Sequence, residues 1–200
     1  EDGSLFRVWA PNADEVTVAG SFNGWNFLAD HLAWDGDGYW SADINGAMPG
    51  SEYRFVIRNG KDWFWRNDPW ARRLTNSVGN SIVYDPGTYS WNDSFSMPDW
   101  KDLVIYEMHI GTFGVPDGGQ APGWINEATA RLDHLSELGV SAVQLMPFFE
   151  FPGDTSWGYN PSYPFAVESH YGTPGDFKWF VEQAHARGIA VLVDVVYSHF

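Results

Sequence analysis

The chain has 200 residues, a formal net charge of −15, 44% hydrophobic residues, no cysteine, and 12 Trp beside 9 Tyr and 14 Phe. That length holds one domain or two small ones, the hydrophobic content excludes a disordered chain, and the missing cysteine excludes disulfide and thiol chemistry. The acidic balance repels a polyanion, so no nucleic acid is expected as partner, and no run of about 18 apolar residues marks a membrane helix, so no membrane partner is expected either.

Residues 1 to 86 read as β-rich. Short strands are predicted at Phe6–Trp9, Val16–Ala19, Tyr39–Ile44, Tyr53–Ile57 and Ile82–Tyr84. Turn signals separate them: Pro11-Asn12, Asn23-Gly24, the run Asp35 to Gly38, Pro49-Gly50 and Asn59-Gly60. Asn59-Gly60, between Tyr53–Arg58 and Lys61–Trp65, predicts a hairpin with a type I′ turn, which needs positive φ at both central positions. Regular strand spacing without a helical period predicts a small antiparallel β-sandwich of immunoglobulin-like form. The surplus of Trp suits stacking on sugar rings, which also present flat apolar faces with polar edges.

Residues 87–102 read as a linker, rich in Pro, Gly, Asp, Ser and Asn, with Trp91, Phe95 and Trp100 placed to pin it down. From Leu103 the pattern becomes strand, helix, strand, helix, strand. Leu103–Met108 is the first strand; Ala128, Leu132, Leu135 and Leu138 mark one helix, ended by Gly139; Val140–Met146 is the second strand. Thr173 as N-cap, Pro174 in the first turn and Asp176 near the positive helix end open the second helix. Phe177, Phe180, Val181 and Ala184 form its apolar face, Gly188 stops it, and Ile189–Val196 is the third strand. Continuous apolar strands alternating with helices predict a parallel sheet, here the first three strands and two helices of a (β/α)8 TIM barrel over 103–200.

In such a barrel, polar residues at the C-terminal strand ends face the catalytic mouth. Asp194 and His199, at the end of the third strand, stand there, as does His109 at the end of the first. Glu150 and Asp154, in the Gly- and Pro-containing loop 147–172, are expected to be solvated rather than catalytic. No spacing of histidines and carboxylates points to a metal site, and no cofactor is expected.

Four segments resemble glycoside hydrolase family 13, the α-amylase superfamily: Leu103 to Phe113, Gly139 to Pro147, Trp157-Gly158-Tyr159-Asn160-Pro161, and Asp194 to His199. The first half resembles a family 48 starch- or glycogen-binding module in Gly20 to Asn26, Tyr53-Arg54-Phe55, Trp65 to Pro69 and Ser77 to Asn80. The resemblance implies an α-1,4-glucan as substrate (glycogen, starch, maltooligosaccharides) and a retaining mechanism through a covalent glucosyl intermediate. It implies sugar stacking by Tyr159, a hydroxyl contact by His199, and a place beside the active-site floor for Asp194. In the module it implies glucan contacts from Trp25, Trp65, Arg54 and Asn80.

The nucleophile and acid/base of that family lie on later strands, so no catalytic carboxylate is expected in this chain and the isolated chain is expected to be inactive. Ser198 stands where calcium-binding members have Asn, so no calcium is expected. Glucan branching is the first reading. Val195-Val196-Tyr197 departs from the Trp-Val-Pro more usual in bacterial branching enzymes, which keeps trehalohydrolase, amylase-type and debranching reactions open. A non-catalytic glycogen-binding protein is the alternative of another class. The missing cysteine and the absence of a visible leader fit a cytoplasmic location.

Overall fold

The computed structural model describes residues 2–92, 94–115, 119 and 122–198. They form two compact units, Glu1–Asp85 and Pro86–Phe200.

The first unit carries β1 (Gly3–Trp9), β2 (Glu15–Gly20), β3 (Asp30–Gly36), β4 (Tyr39–Asn45), β5 (Glu52–Asn59), β6 (Asp62–Arg66) and β7 (Ser81–Ile82). They pair antiparallel in the order β1-β4-β3-β2-β5-β6, with β7 also on β5. In a flat sheet β1 and β5 would lie four strand spacings apart, about 19 Å. Yet Phe6 of β1 meets Tyr53 of β5 at a ring separation of 4.9 Å. The sheet is therefore folded over into a sandwich. Phe6, Val8, Val16, Val18, Leu32, Ile44 and Phe55 fill its interior.

Strand β3 was absent from the sequence pattern, because only Leu32 of its seven residues is buried and no alternation results. The β5–β6 hairpin forms one residue out of the expected phase. Asn59 pairs with Asp62, so the central residues are Gly60 and Lys61. Of these only Gly60 has positive φ, which fits a type II′ turn rather than I′. Asn59 is spent elsewhere: its amide donates to Asn12 O, while Gly60 N donates to Asp14.

The second unit holds β8 (Ile105–Met108), β9 (Ala142–Leu145), β10 (Phe149–Glu150), β11 (Tyr163–Val167) and β12 (Ala190–Val193), with α1 (Ile110–Phe113), α2 (Ile125–Thr129), α3 (Leu132–Glu137) and α4 (Pro174–His185). β8, β9 and β12 form a parallel sheet in the order β12-β9-β8, as the start of a barrel requires. β10 and β11 make a separate small hairpin in the loop after β9.

The expected first helix is broken in two. Thr129 donates its hydroxyl to Ile125 O, and this back-bonding bends a helix; the chain restarts at Leu132. Leu138 is expected in the apolar face but is exposed: each step of three residues falls about 60° short of a full turn, so two such steps set Leu138, the C-cap of α3, about 120° away from buried Leu132. The third strand ends three residues early. Its partner strand runs into Pro147, which has no N–H to donate to the next rung, and the last cross-strand bond is Asp194 N to Leu145 O.

Helix α4 forms as its sequence requires. Thr173 accepts from Asp176 N and Asp176 accepts from Thr173 N, closing a capping box, with Pro in the first turn. Phe177, Phe180 and Ala184 are buried on one face. The segment after residue 86 lies on the other side of this helix: Glu182 accepts from Tyr89 Oη and Asn92 N, and Phe95 stacks on His185 at 4.2 Å.

Candidate functional sites

Two places bring the sequence-derived residues together, one in each unit.

In the sandwich, strand alternation puts Glu52, Arg54, Val56 and Arg58 on the outward face of β5. Across the hairpin, Trp65 stands opposite Val56 and Trp63 opposite Arg58. Trp25 reaches this face from the loop after β2, with its ring 6.5 Å from that of Trp65 and tilted by 33°. Phe27 lies against both Trp63 (5.2 Å) and Trp65 (6.1 Å). Val56, opposite Trp65, is fully buried, yet Trp65 keeps 37% of its surface exposed.

Trp25 holds an unusual backbone, with φ of +62° directly after Gly24 at +64°. A bulky residue in the left-handed region costs on the order of 1–2 kcal/mol. The Trp25 N–H to Gly20 O bond helps to hold it there.

Arg54 and Asn80 share this face, but their hydrogen bonds go to protein. Arg54 Nη2 donates to Val78 O and Gly79 O, leaving buried Nε without a partner. Asn80 Nδ2 donates to Glu52 Oε2 at 2.7 Å. Both therefore fix the loop beside the aromatic group. Sequence alone missed Phe27 and Trp63, which complete that group; the hairpin register was the signal that could have found Trp63.

In the second unit, the turn Trp157–Asn160 is held over the C-terminal ends of all three parallel strands. After β12, Asp194 accepts a hydrogen bond from Tyr159 Oη at 2.9 Å. This bond holds the phenol above its usual pKa, with slight desolvation and the Glu107 charge adding. After β9, the carbonyl of Pro147 lies under Gly158: a Cβ there would meet it at 1.9 Å, and φ is +84°, so only glycine fits. After β8, His109 Nε2 bonds to Ser156 O at 2.8 Å. Trp157 (71% exposed) and Tyr159 (41% exposed) present their rings outward from this turn. His199 lies outside the described residues.

Glu150 corrects the expectation of a solvated loop acid: it is fully buried, and so is Glu168. Glu150 accepts from Ser169 N and Oγ, and Glu168 from Phe151 N and His170 N, which ties β10 to the segment after β11. Burial first, then the Glu168 charge, pushes Glu150 up to about 7, with Asp154 adding to the rise. Burial raises Glu168 as well, against its backbone hydrogen bonds. No group of three or more His, Asp or Glu among the described residues could hold a metal ion. Among the same residues no helix is long and apolar enough to cross a membrane.

Residues 59–200 match the family described as alpha amylase, catalytic domain, and residues 1–71 match carbohydrate-binding module 48, the isoamylase N-terminal domain. The chain belongs to the α-amylase family.

Curated relatives align over both units. The 1,4-alpha-glucan branching enzymes GlgB of Salinibacter ruber and Methylococcus capsulatus are each 36% identical over 211 residues, covering 99% and 100% of this chain. The chain spans 34% and 28% of their lengths. Among solved structures, a Salmonella typhimurium protein provisionally assigned as an α-amylase superposes with a TM-score of 0.85 at 38% identity, over 98% of this chain and 32% of its own. The Group B Streptococcus pullulanase SAP, solved with maltotetraose, superposes at 0.83 with 25% identity, over 98% and 32%.

Proposed function

We propose that the full-length protein is a 1,4-α-glucan branching enzyme. In that reading a carboxylate attacks the anomeric carbon of an α-1,4-linked glucan while an acid protonates the departing 4-oxygen, so the glycosidic bond breaks as a glucosyl ester forms; a glucan 6-hydroxyl, giving its proton back to the same acid/base, then displaces the carboxylate. The single observation that carries the reading is the turn clamped on three strand ends, with Tyr159 bound to Asp194 at the mouth where the α-amylase family does its chemistry. In this role Tyr159 stacks on the sugar before the scissile bond, Asp194 orients the phenol, and His199 contacts a sugar hydroxyl. Trp25 and Trp65 hold a second stretch of glucan on the sandwich, beside the loop that Arg54 and Asn80 fix. The nucleophile and acid/base are supplied by other parts of the full-length protein, and the 200-residue chain by itself does not turn over glucan.

A hydrolytic reading has one observation in its favour, the 38% identity to the Salmonella protein. The two readings part on bond accounting. Branching exchanges one α-1,4 for one α-1,6 linkage with no new reducing end, whereas hydrolysis releases one reducing end per bond cut. Incubating the full-length protein with amylose, and following α-1,6 anomeric signals and reducing ends together, tests this. New α-1,6 signals at constant reducing ends are expected. A rise in reducing ends without α-1,6 signals would replace branching by hydrolysis.

A further inference from the structure

The mouth of the sheet holds a histidine to which the reading above gives no task. His109 directly follows Met108, the last residue of β8, and caps α1. Both of its ring nitrogens are engaged. Nδ1 faces Thr112 Oγ1 at 3.1 Å, and Nε2 faces Ser156 O at 2.8 Å. A carbonyl only accepts, so Nε2 carries the hydrogen. The Tyr171 hydroxyl stands 3.0 Å from the same nitrogen, and its buried ring meets the imidazole edge-on. Gly111 completes the setting: a Cβ there would come within 2.8 Å of Tyr171 Oη and 3.0 Å of His109 Cε1.

Ser156, which His109 holds by its carbonyl, in turn organises the exposed rings. Its hydroxyl donates to Asn160 Oδ1 at 2.6 Å and accepts from Gly158 N at 3.0 Å. Those bonds bracket Tyr159. The Tyr159 ring is thus fixed at its tip by Asp194 and at its base by a chain that runs through Ser156 to His109. With both nitrogens occupied, His109 has no donor or acceptor left for a sugar.

We propose that His109 is a positioning residue, which sets the Tyr159 ring through the Ser156 carbonyl and does not touch the glucan itself. The inference rests on the reading of Tyr159 as a sugar contact. Two conservative changes in the full-length protein separate this role from a merely structural one. His109→Gln places an amide N–H near the position of Nε2 and can still reach Ser156 O. His109→Asn places its amide near Nδ1 and can serve Thr112 and the start of α1, but it falls short of Ser156.

Hydrogen exchange of a peptide spanning 156–160 and steady-state kinetics on maltoheptaose are the two readouts. His109→Asn is expected to speed exchange at Gly158 and Tyr159 and to lower kcat about tenfold with a smaller change in KM, while His109→Gln stays close to wild type in both. In a Tyr159→Ala background, His109→Asn should lower kcat by less than about twofold, because the ring it positions is gone. Equal behaviour of the Asn and Gln variants would overturn the proposal, and so would a full tenfold loss in the Tyr159→Ala background. If wild type does not act on α-glucan, the functional reading falls, and the exchange comparison still decides whether His109 holds the turn.

Discussion

The residues with the most unusual physics are Trp25, Glu150 and Glu168. Trp25 sits in the left-handed region, and its ring lies beside Trp65. Trp25→Gly relieves the backbone and removes the ring. The two effects on stability oppose each other, so unfolding free energy should change by less than ~1 kcal/mol. Glucan affinity should fall, since each ring stacked on a sugar contributes roughly 1 kcal/mol beyond area burial. Loss of Trp25 and Trp65 together should weaken maltoheptaose binding about thirtyfold. Calorimetric titration of the wild type and of both variants checks this, and undiminished affinity in a folded double variant would place binding elsewhere.

The Glu150 carboxyl is raised above its ordinary value to about 7 by burial and by Glu168, with Asp154 also facing the pair; His170 acts on Glu168 in the opposite direction. A carboxyl raised in the folded state binds its proton more tightly there than when unfolded. Its stabilising contribution is therefore complete below about pH 4.5 and is lost as pH rises through about 7. Melting of the unit containing β10 and β11 should accordingly weaken between pH 5 and 8. In Glu150→Gln, which cannot ionise, that slope should flatten. A wild-type slope that survives the substitution would assign the pH dependence to other groups.

At the scale of elements, α4 was legible because its signals are local. A capping box, a Pro in the first turn and a 3.6-residue apolar period act within a few residues of one another. Thr173→Ala removes the acceptor for Asp176 N and should cost about 1 kcal/mol, with Thr173→Ser near neutral. Urea unfolding of the three proteins gives the comparison. The turn at Gly158 makes a sharper case: Gly158→Ala would drive a methyl into Pro147 O and impose positive φ on a residue with a side chain. It should displace Tyr159 and lower activity of the full-length protein by at least about tenfold. An active Gly158→Ala would show that the turn relaxes without consequence.

At the scale of the whole molecule, three parallel strands make a sheet that, among the described residues, ends openly at β8 and β12. Ile105, Val193 and Val195 remain exposed there. A closed barrel has no such edges. Residues 86–200 expressed alone should therefore bind hydrophobic dyes and lack sharp near-ultraviolet dichroism, whereas residues 1–85, with a closed sandwich core, should melt cooperatively. Cooperative melting of 86–200 would count against this.

The class of each half, the order of the parallel strands and the start of α4 were legible in the sequence, and the segments that carry Tyr159, Asp194, Trp25 and Trp65 stood out there as candidates, which the fold brings together in pairs. These follow from composition, from periodicities of two and 3.6 residues, from turn chemistry, and from segments whose spacing matches known families. Tertiary structure alone decided the rest. Leu32 gives β3 no pattern of its own; the strand exists because β2 and β4 pair with it. Glu150 reads as a solvated acid until Glu168 and Ser169, 18 and 19 residues later, fold over it. Arg54 and Asn80 stand out in their segments, but the protein partners that hold them, Val78, Gly79 and Glu52, come into place only in the folded chain. His109 finds Ser156 only when the first strand lies beside the second. The physical reason is the same in each case: burial and hydrogen-bond partners are set by residues distant in the chain, and one-dimensional patterns carry only what neighbours a few residues apart can enforce.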